Sequence, residues 1–147
     1  SLRGWIQTEE EQQMKKLMMA AALIAYSAIG HSADPGQANA YIVSPADGAT
    51  VSSPVTVVFG LADFGVAPAG MPREGTGHHH LIIDSPLPDL TKPIPADDKH
   101  RHFGGGQTEV TIDLAPGKHT LQLLLGDHSH VPHDPPIYSD VVTINVE

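Results

Sequence analysis

The chain has no cysteine among its 147 residues. That excludes a disulfide framework, a thiolate metal site, blue-copper chemistry and a lipid-anchored N-terminal cysteine. Basic residues are few, 8 against 17 acidic, and the formal net charge is −9. Nucleic acid needs a basic face, so it is not an expected partner. An acidic surface also repels anionic lipid and favours local accumulation of cations. Aromatic residues make up only 5%. Platforms for stacking a sugar are therefore reduced to Phe64, Phe103 and Tyr138. The longest apolar run, Leu17 to Ile29, has thirteen residues, short of the about 20 that span a bilayer.

What is present in quantity is turn chemistry. Gly and Pro total 14 and 13 residues beside a hydrophobic fraction of 40%. That pairing suits a turn-rich all-β domain rather than a disordered chain. The thirteen-residue apolar run follows Met14-Lys15-Lys16 and precedes the small residues Ala28, Gly30, Ser32 and Ala33. This is the layout of a secretory signal peptide over 14–33. Residues 1–13 are polar and acidic and read as an upstream extension; 34–40 read as a leader. The expected location is periplasmic or secreted, with no membrane span after processing.

From residue 41 onward the apolar residues alternate. Val55, Val57, Phe59 and Leu61 share one face of a strand over 51–61, and Val110, Ile112 and Leu114 share one over 108–114. His119, Leu121, Leu123 and Leu125 do so over 118–125, and Val142, Ile144 and Val146 over 138–146. With 41–43 and 78–84 this makes six strands, and the proline-rich segment 85–106 is long enough to hide a short edge strand. No 3.6-residue period competes with them. The expected fold is therefore all-β: an antiparallel immunoglobulin-like β-sandwich of about seven strands over 41–147, preceded by the signal-peptide helix. His119 occupies the place where such domains often carry a corner tyrosine, and it is expected to be structural.

Histidine is the residue in excess. Eight of the ten fall in three clusters: His78, His79 and His80; His100 and His102; His128, His130 and His133. Each cluster contains an H-x-H pair, and in a strand i and i+2 lie on one face, where two imidazoles can chelate one ion. Immunoglobulin topology brings the loop before 78, the segment before 108 and the loop after 125 to the same end of the sandwich. The expected ligands are His78, His80, His102, His130 and His133, with His79, His128, Asp84 and Asp127 as secondary candidates. Imidazole with carboxylate suits Zn or Cu(II), with Ni and non-haem Fe as lesser alternatives. The bland alternative for each residue is a solvated or locally bonded side chain. His100, in the charged run Asp97-Asp98-Lys99-His100-Arg101, is expected on a solvated surface, and Asp127 and Asp134 can serve in Asx-turns.

Three motifs carry a resemblance: Gly75-Thr76-Gly77-His78-His79-His80-Leu81-Ile82-Ile83-Asp84; His102-Phe103-Gly104-Gly105-Gly106-Gln107-Thr108-Glu109; and His119 to Asp127 followed by His130, Val131-Pro132-His133 and Pro135-Pro136. The chain resembles, over roughly 41–147, a family of exported bacterial proteins known only as a domain of unknown function. The resemblance implies export and the extent of the domain, and it brings no activity. His100 and His128 lie outside the family-like motifs and rank below the others.

Three classes of function fit these residues. The first is a metal-binding module. The second is a non-catalytic module that binds a protein or glycan through its end loops, although no motif specifies a protein partner. The third is a metal-assisted enzyme with Glu109, Asp84 or Asp127 as base. No Ser-His-Asp or phosphate-loop signature is present, and Gly104-Gly105-Gly106 lacks the Lys-Ser/Thr of a P-loop. A non-enzymatic reading ranks above an enzymatic one. Copper chemistry at an N-terminal His31 would need cleavage just before it and ranks last.

Overall fold

The structure is a computed structural model that describes residues 37–147. The expected upstream extension and signal peptide, and the first residues of the expected leader, lie outside it. Nine strands follow in order: β1 (Asn39–Ser44), β2 (Thr50–Val51), β3 (Val55–Ala62), β4 (Gly65–Val66), β5 (Thr76–Ile83), β6 (His100–His102), β7 (Glu109–Ile112), β8 (Gly117–Gly126) and β9 (Val142–Val146). There is no helix among the described residues, hence none able to cross a membrane.

The strands form two sheets. One has three strands in the order β1-β3-β7. The other has six in the order β2-β9-β8-β5-β4, with β6 also paired to β5. Alternation explains the core between them. Val55, Val57 and Phe59 of β3 and Ile112 of β7 meet Leu81 and Ile83 of β5, Leu121, Leu123 and Leu125 of β8, and Ile144 and Val146 of β9. Phe103 joins this core beside Phe59, with ring centres 4.9 Å apart. On the outer face of the small sheet, Tyr41 lies across its cross-strand partner Gly60, where any Cβ would collide with the ring.

Three departures from the sequence expectations matter. The strand expected over 51–61 is two strands, because Ser53-Pro54 interrupts it; proline removes a ladder donor. The pairing is not wholly antiparallel: β2 runs parallel to β9, and β4 parallel to β5. The hidden edge strand is β6, whose register sets His102 opposite His80 and His100 opposite Ile82.

The outer face of the large sheet has a small core of its own. Ile82 and Leu124 point away from the main core and pack with Ile94, Leu87 and Leu90 of the proline-rich segment. That segment is tied down by the amide of Ile94, which donates to the His130 carbonyl at 2.8 Å. This second core borders the histidines.

Candidate metal centre

Strand β5 divides its three histidines between two faces. His79 points with Leu81 and Ile83 into the main core. His78 and His80 point outward with Ile82. All three are essentially inaccessible to solvent, at 0–1% exposure. The backbone is shaped around them. Gly126 sits opposite His78 on β8, and a Cβ there would lie 2.8 Å from His80 Cε1. Only glycine leaves room for that ring.

The third imidazole comes from β6. His102, directly across from His80, places its Nε2 3.2 Å from His78 Nε2. One ring nitrogen each from His78, His80 and His102 lie within 4.8 Å of one another. Two nitrogens bound to one ion at the usual Zn–N length in tetrahedral geometry stand about 3.3 Å apart. The 3.2 Å contact is therefore the edge of a coordination polyhedron as readily as a hydrogen bond. The convergence expected from topology holds for these three. They meet on the outer face of the large sheet, however, and not among end loops, because β6 is a strand rather than a flexible approach.

The surroundings keep these rings neutral. Burial, reinforced by the positive charge that His102 and His130 would carry, pushes His78 down to about 4 against a weaker upward pull from Asp127. Burial, followed by the charges that His78, His102 and His130 would carry, pushes His80 down to about 3, and burial alone takes His79 to about 4. His102 is lowered by partial desolvation and by His130. Neutral imidazole is the form that binds a metal. Nδ1 of His78 and both ring nitrogens of His80 are buried with no hydrogen-bond partner among the described residues. An unpaired buried nitrogen costs about 1–3 kcal/mol, so the arrangement calls for something that uses the lone pairs.

His130 joins the group from the loop after β8. Its ring centre lies 4.7 Å from that of His102 and 5.0 Å from that of His78. The remaining candidates are engaged elsewhere. His133 sets Nε2 3.1 Å from the Thr76 carbonyl, so that nitrogen carries the proton, and its ring stands edge-on to Phe64. His128 is exposed and lines a cleft of about 440 Å³ with Arg73, Glu74, Asp127 and His133. Asp127 accepts from the amides of Ser129 and Val131, which outweigh burial and hold its carboxyl below the usual range. Asp84 accepts from His119 Nδ1 at 2.7 Å and from the Thr120 amide. His119 Nε2 donates to the Ala115 carbonyl at 2.8 Å. Both acceptors need a proton on the ring, which favours imidazolium, and the His119 pKa is raised accordingly. His119 thus has a structural role, as expected, with Asp84 and the Ala115 carbonyl as its partners.

His100 corrects an expectation. It is buried rather than solvated, because its Nδ1 turns back to Asp97 Oδ1 at 2.8 Å while its strand position faces the Ile82 cluster. The sequence signal that marks the third imidazole of the cluster is alternation within His100-Arg101-His102, which puts both histidines on one face once β6 is recognised.

Gly104 gives a direct test of the His102 position. A Cβ there would run into the His102 ring, with Nε2 at 2.6 Å. The ring is the movable end of an exposed side chain, so Gly104→Ala should turn it away and leave the fold intact. Metal affinity, read by calorimetry, should fall roughly 10- to 100-fold, as when the groups that orient a ligand are lost. Unchanged affinity would mean that His102 does not ligate.

A two-sheet all-β domain carrying a cluster of three imidazoles, two of them buried, is the class that fold and site define. By sequence, the family described as domain of unknown function DUF4399 matches residues 57–147, so the chain belongs to that family. The match begins within β3 and leaves β1 and β2 outside, which is narrower than the 41–147 expected. No curated protein and no solved structure matches the chain.

Proposed function

We propose that this domain is an exported module that binds a transition metal, Zn or Cu, through His78, His80 and His102. The observation that carries the reading is the meeting of three neutral imidazoles from two strands, two of them buried with unpaired nitrogens. With no thiolate and no carboxylate in the cluster, the donor set is all nitrogen, which suits Zn and Cu over Mg or Ca. The lysine-led apolar run over 14–33 supports export to the periplasm or beyond. Two sheets around one core support an immunoglobulin-like sandwich as the scaffold.

The test is elemental analysis of untagged protein, followed by thermal unfolding with and without added Zn or Cu. About one metal per chain is expected. A ligand present at a hundred times its dissociation constant stabilises by about 2.7 kcal/mol, and the His78→Ala/His80→Ala double variant should lose that gain. Metal-free protein that is indifferent to both ions would remove the reading.

A further inference from the structure

Resting on that reading, we propose that the ion is enclosed by four imidazoles, with His130 as the fourth ligand, and that the centre therefore has no position open to a substrate. The argument is the shape of the cluster. Ring centres are separated by 4.8 Å for His78–His80, 4.9 Å for His78–His102 and 5.0 Å for His78–His130. They are 5.1 Å apart for His80–His102, 6.1 Å for His80–His130 and 4.7 Å for His102–His130. Four imidazoles bound tetrahedrally at the usual Zn–N length would set their ring centres about 5.2 Å apart along all six edges. Five of the six separations lie close to that value; binding the ion has to close the His80–His130 edge and bring a His130 ring nitrogen in to join the three that already lie within 4.8 Å of one another.

The placement of the four follows from the elements that carry them. His78, His80 and His102 rise from one face of a paired β5–β6 ribbon, so they can occupy only one side of an ion. The side left over faces outward, and there His130 stands. It holds a left-handed backbone conformation, φ 69°, which costs an ordinary side chain about 1–2 kcal/mol. Such strain persists only where neighbours impose it. Here Asp127 does so: its carboxylate caps the amides of Ser129 and Val131, its carbonyl accepts from the His130 amide at 2.9 Å, and its amide donates to Val131. The His130 carbonyl is taken by Ile94. Asp127 is thus a positioning residue that aims a ligand.

A closed sphere of four nitrogens suits holding or carrying an ion. Metal-assisted hydrolysis needs a bound water, which three protein ligands would leave room for. Cobalt(II) in place of the native ion separates the two, because its visible absorption reports coordination number. Wild-type cobalt protein should show no spectral change on adding millimolar azide. His130→Gly keeps the left-handed backbone without strain and removes only the imidazole. It should bind cobalt roughly 10- to 100-fold more weakly, gain an azide-dependent spectrum, and recover the wild-type spectrum with free imidazole. Asp127→Ala should lose similar affinity, whereas Asp127→Asn, which keeps the accepting oxygen, should not. An azide response in the wild type, or unchanged affinity in His130→Gly, overturns the four-ligand centre while leaving metal binding in place. Failure of the wild type to take up cobalt, Zn or Cu overturns both.

Discussion

Metal-free protein should unfold as the pH falls from 7 to 4. His78, His79 and His80 are buried neutral, with pKa values lowered from 6.5 to about 4, 4 and 3 by desolvation, to which neighbouring imidazoles add for His78 and His80. In the unfolded chain all three titrate near 6.5. Below that value the unfolded state binds more protons, so the stability these groups permit is complete above pH 6.5 and is lost as the pH drops toward 4. A tenfold difference in proton affinity between the folded and unfolded chain is worth about 1.4 kcal/mol. Three groups together place the loss on the order of 5–10 kcal/mol by pH 4, comparable with the whole stability of a small domain. His119 works in the opposite sense: its raised pKa stabilises below 6.5 and fades as the pH climbs through the folded value. One such pair does not offset three. A bound ion should push the acid midpoint lower, because it competes with protons for the same lone pairs. A melting temperature that stays level between pH 7.5 and 4.5 without metal would show that these imidazoles are not held neutral.

The second expected effect is a gain. His79→Leu should raise the stability of the metal-free protein by about 1–3 kcal/mol at pH 7, or roughly 5–15 °C in melting temperature for a domain of this size. Both ring nitrogens of His79 are buried without a partner among the described residues, and the ring packs against Phe59 at 5.2 Å. Leucine is close in volume and leaves nothing polar behind. The backbone role is untouched, since the His79 carbonyl accepts from the Phe103 amide whatever the side chain. The variant should also shed about one proton from the acid transition. Lower stability with the same acid transition would mean that His79 holds a partner and is not an orphan.

Much of this was legible in the chain because strand alternation is a local property. The split of His78-His79-His80-Leu81-Ile82-Ile83 into inner and outer sets needs only a period of two. The structural role of His119 followed from its place after Pro116-Gly117. Its partner did not, because Asp84 lies 35 residues away, just past the end of β5, and carries the same carboxylate that a ligand would. The second core was hidden for a different reason. Leu87, Leu90 and Ile94 are scattered among prolines and show no period, so only the β5–β6 register reveals the face they cover. His130 and His133 look alike in sequence. A turn built by Asp127 directs one toward the cluster, and a hydrogen bond to Thr76 turns the other away; neither event has a signature in the residues themselves.

Anchorage is unequal around the cluster. His78 and His80 stand on β5, which is bonded along both edges, whereas His102 ends a three-residue strand joined, among the strands, only to β5 and separated by Phe103 from three glycines. β6 is held by one ladder and by Phe103 at its end, so it frays more readily than β5, which can leave only by opening the sheet. Release of an ion to a chelator should therefore begin at His102, in a stepwise exit whose rate follows the fraying of one short edge, so the domain has a built-in order in which it lets go.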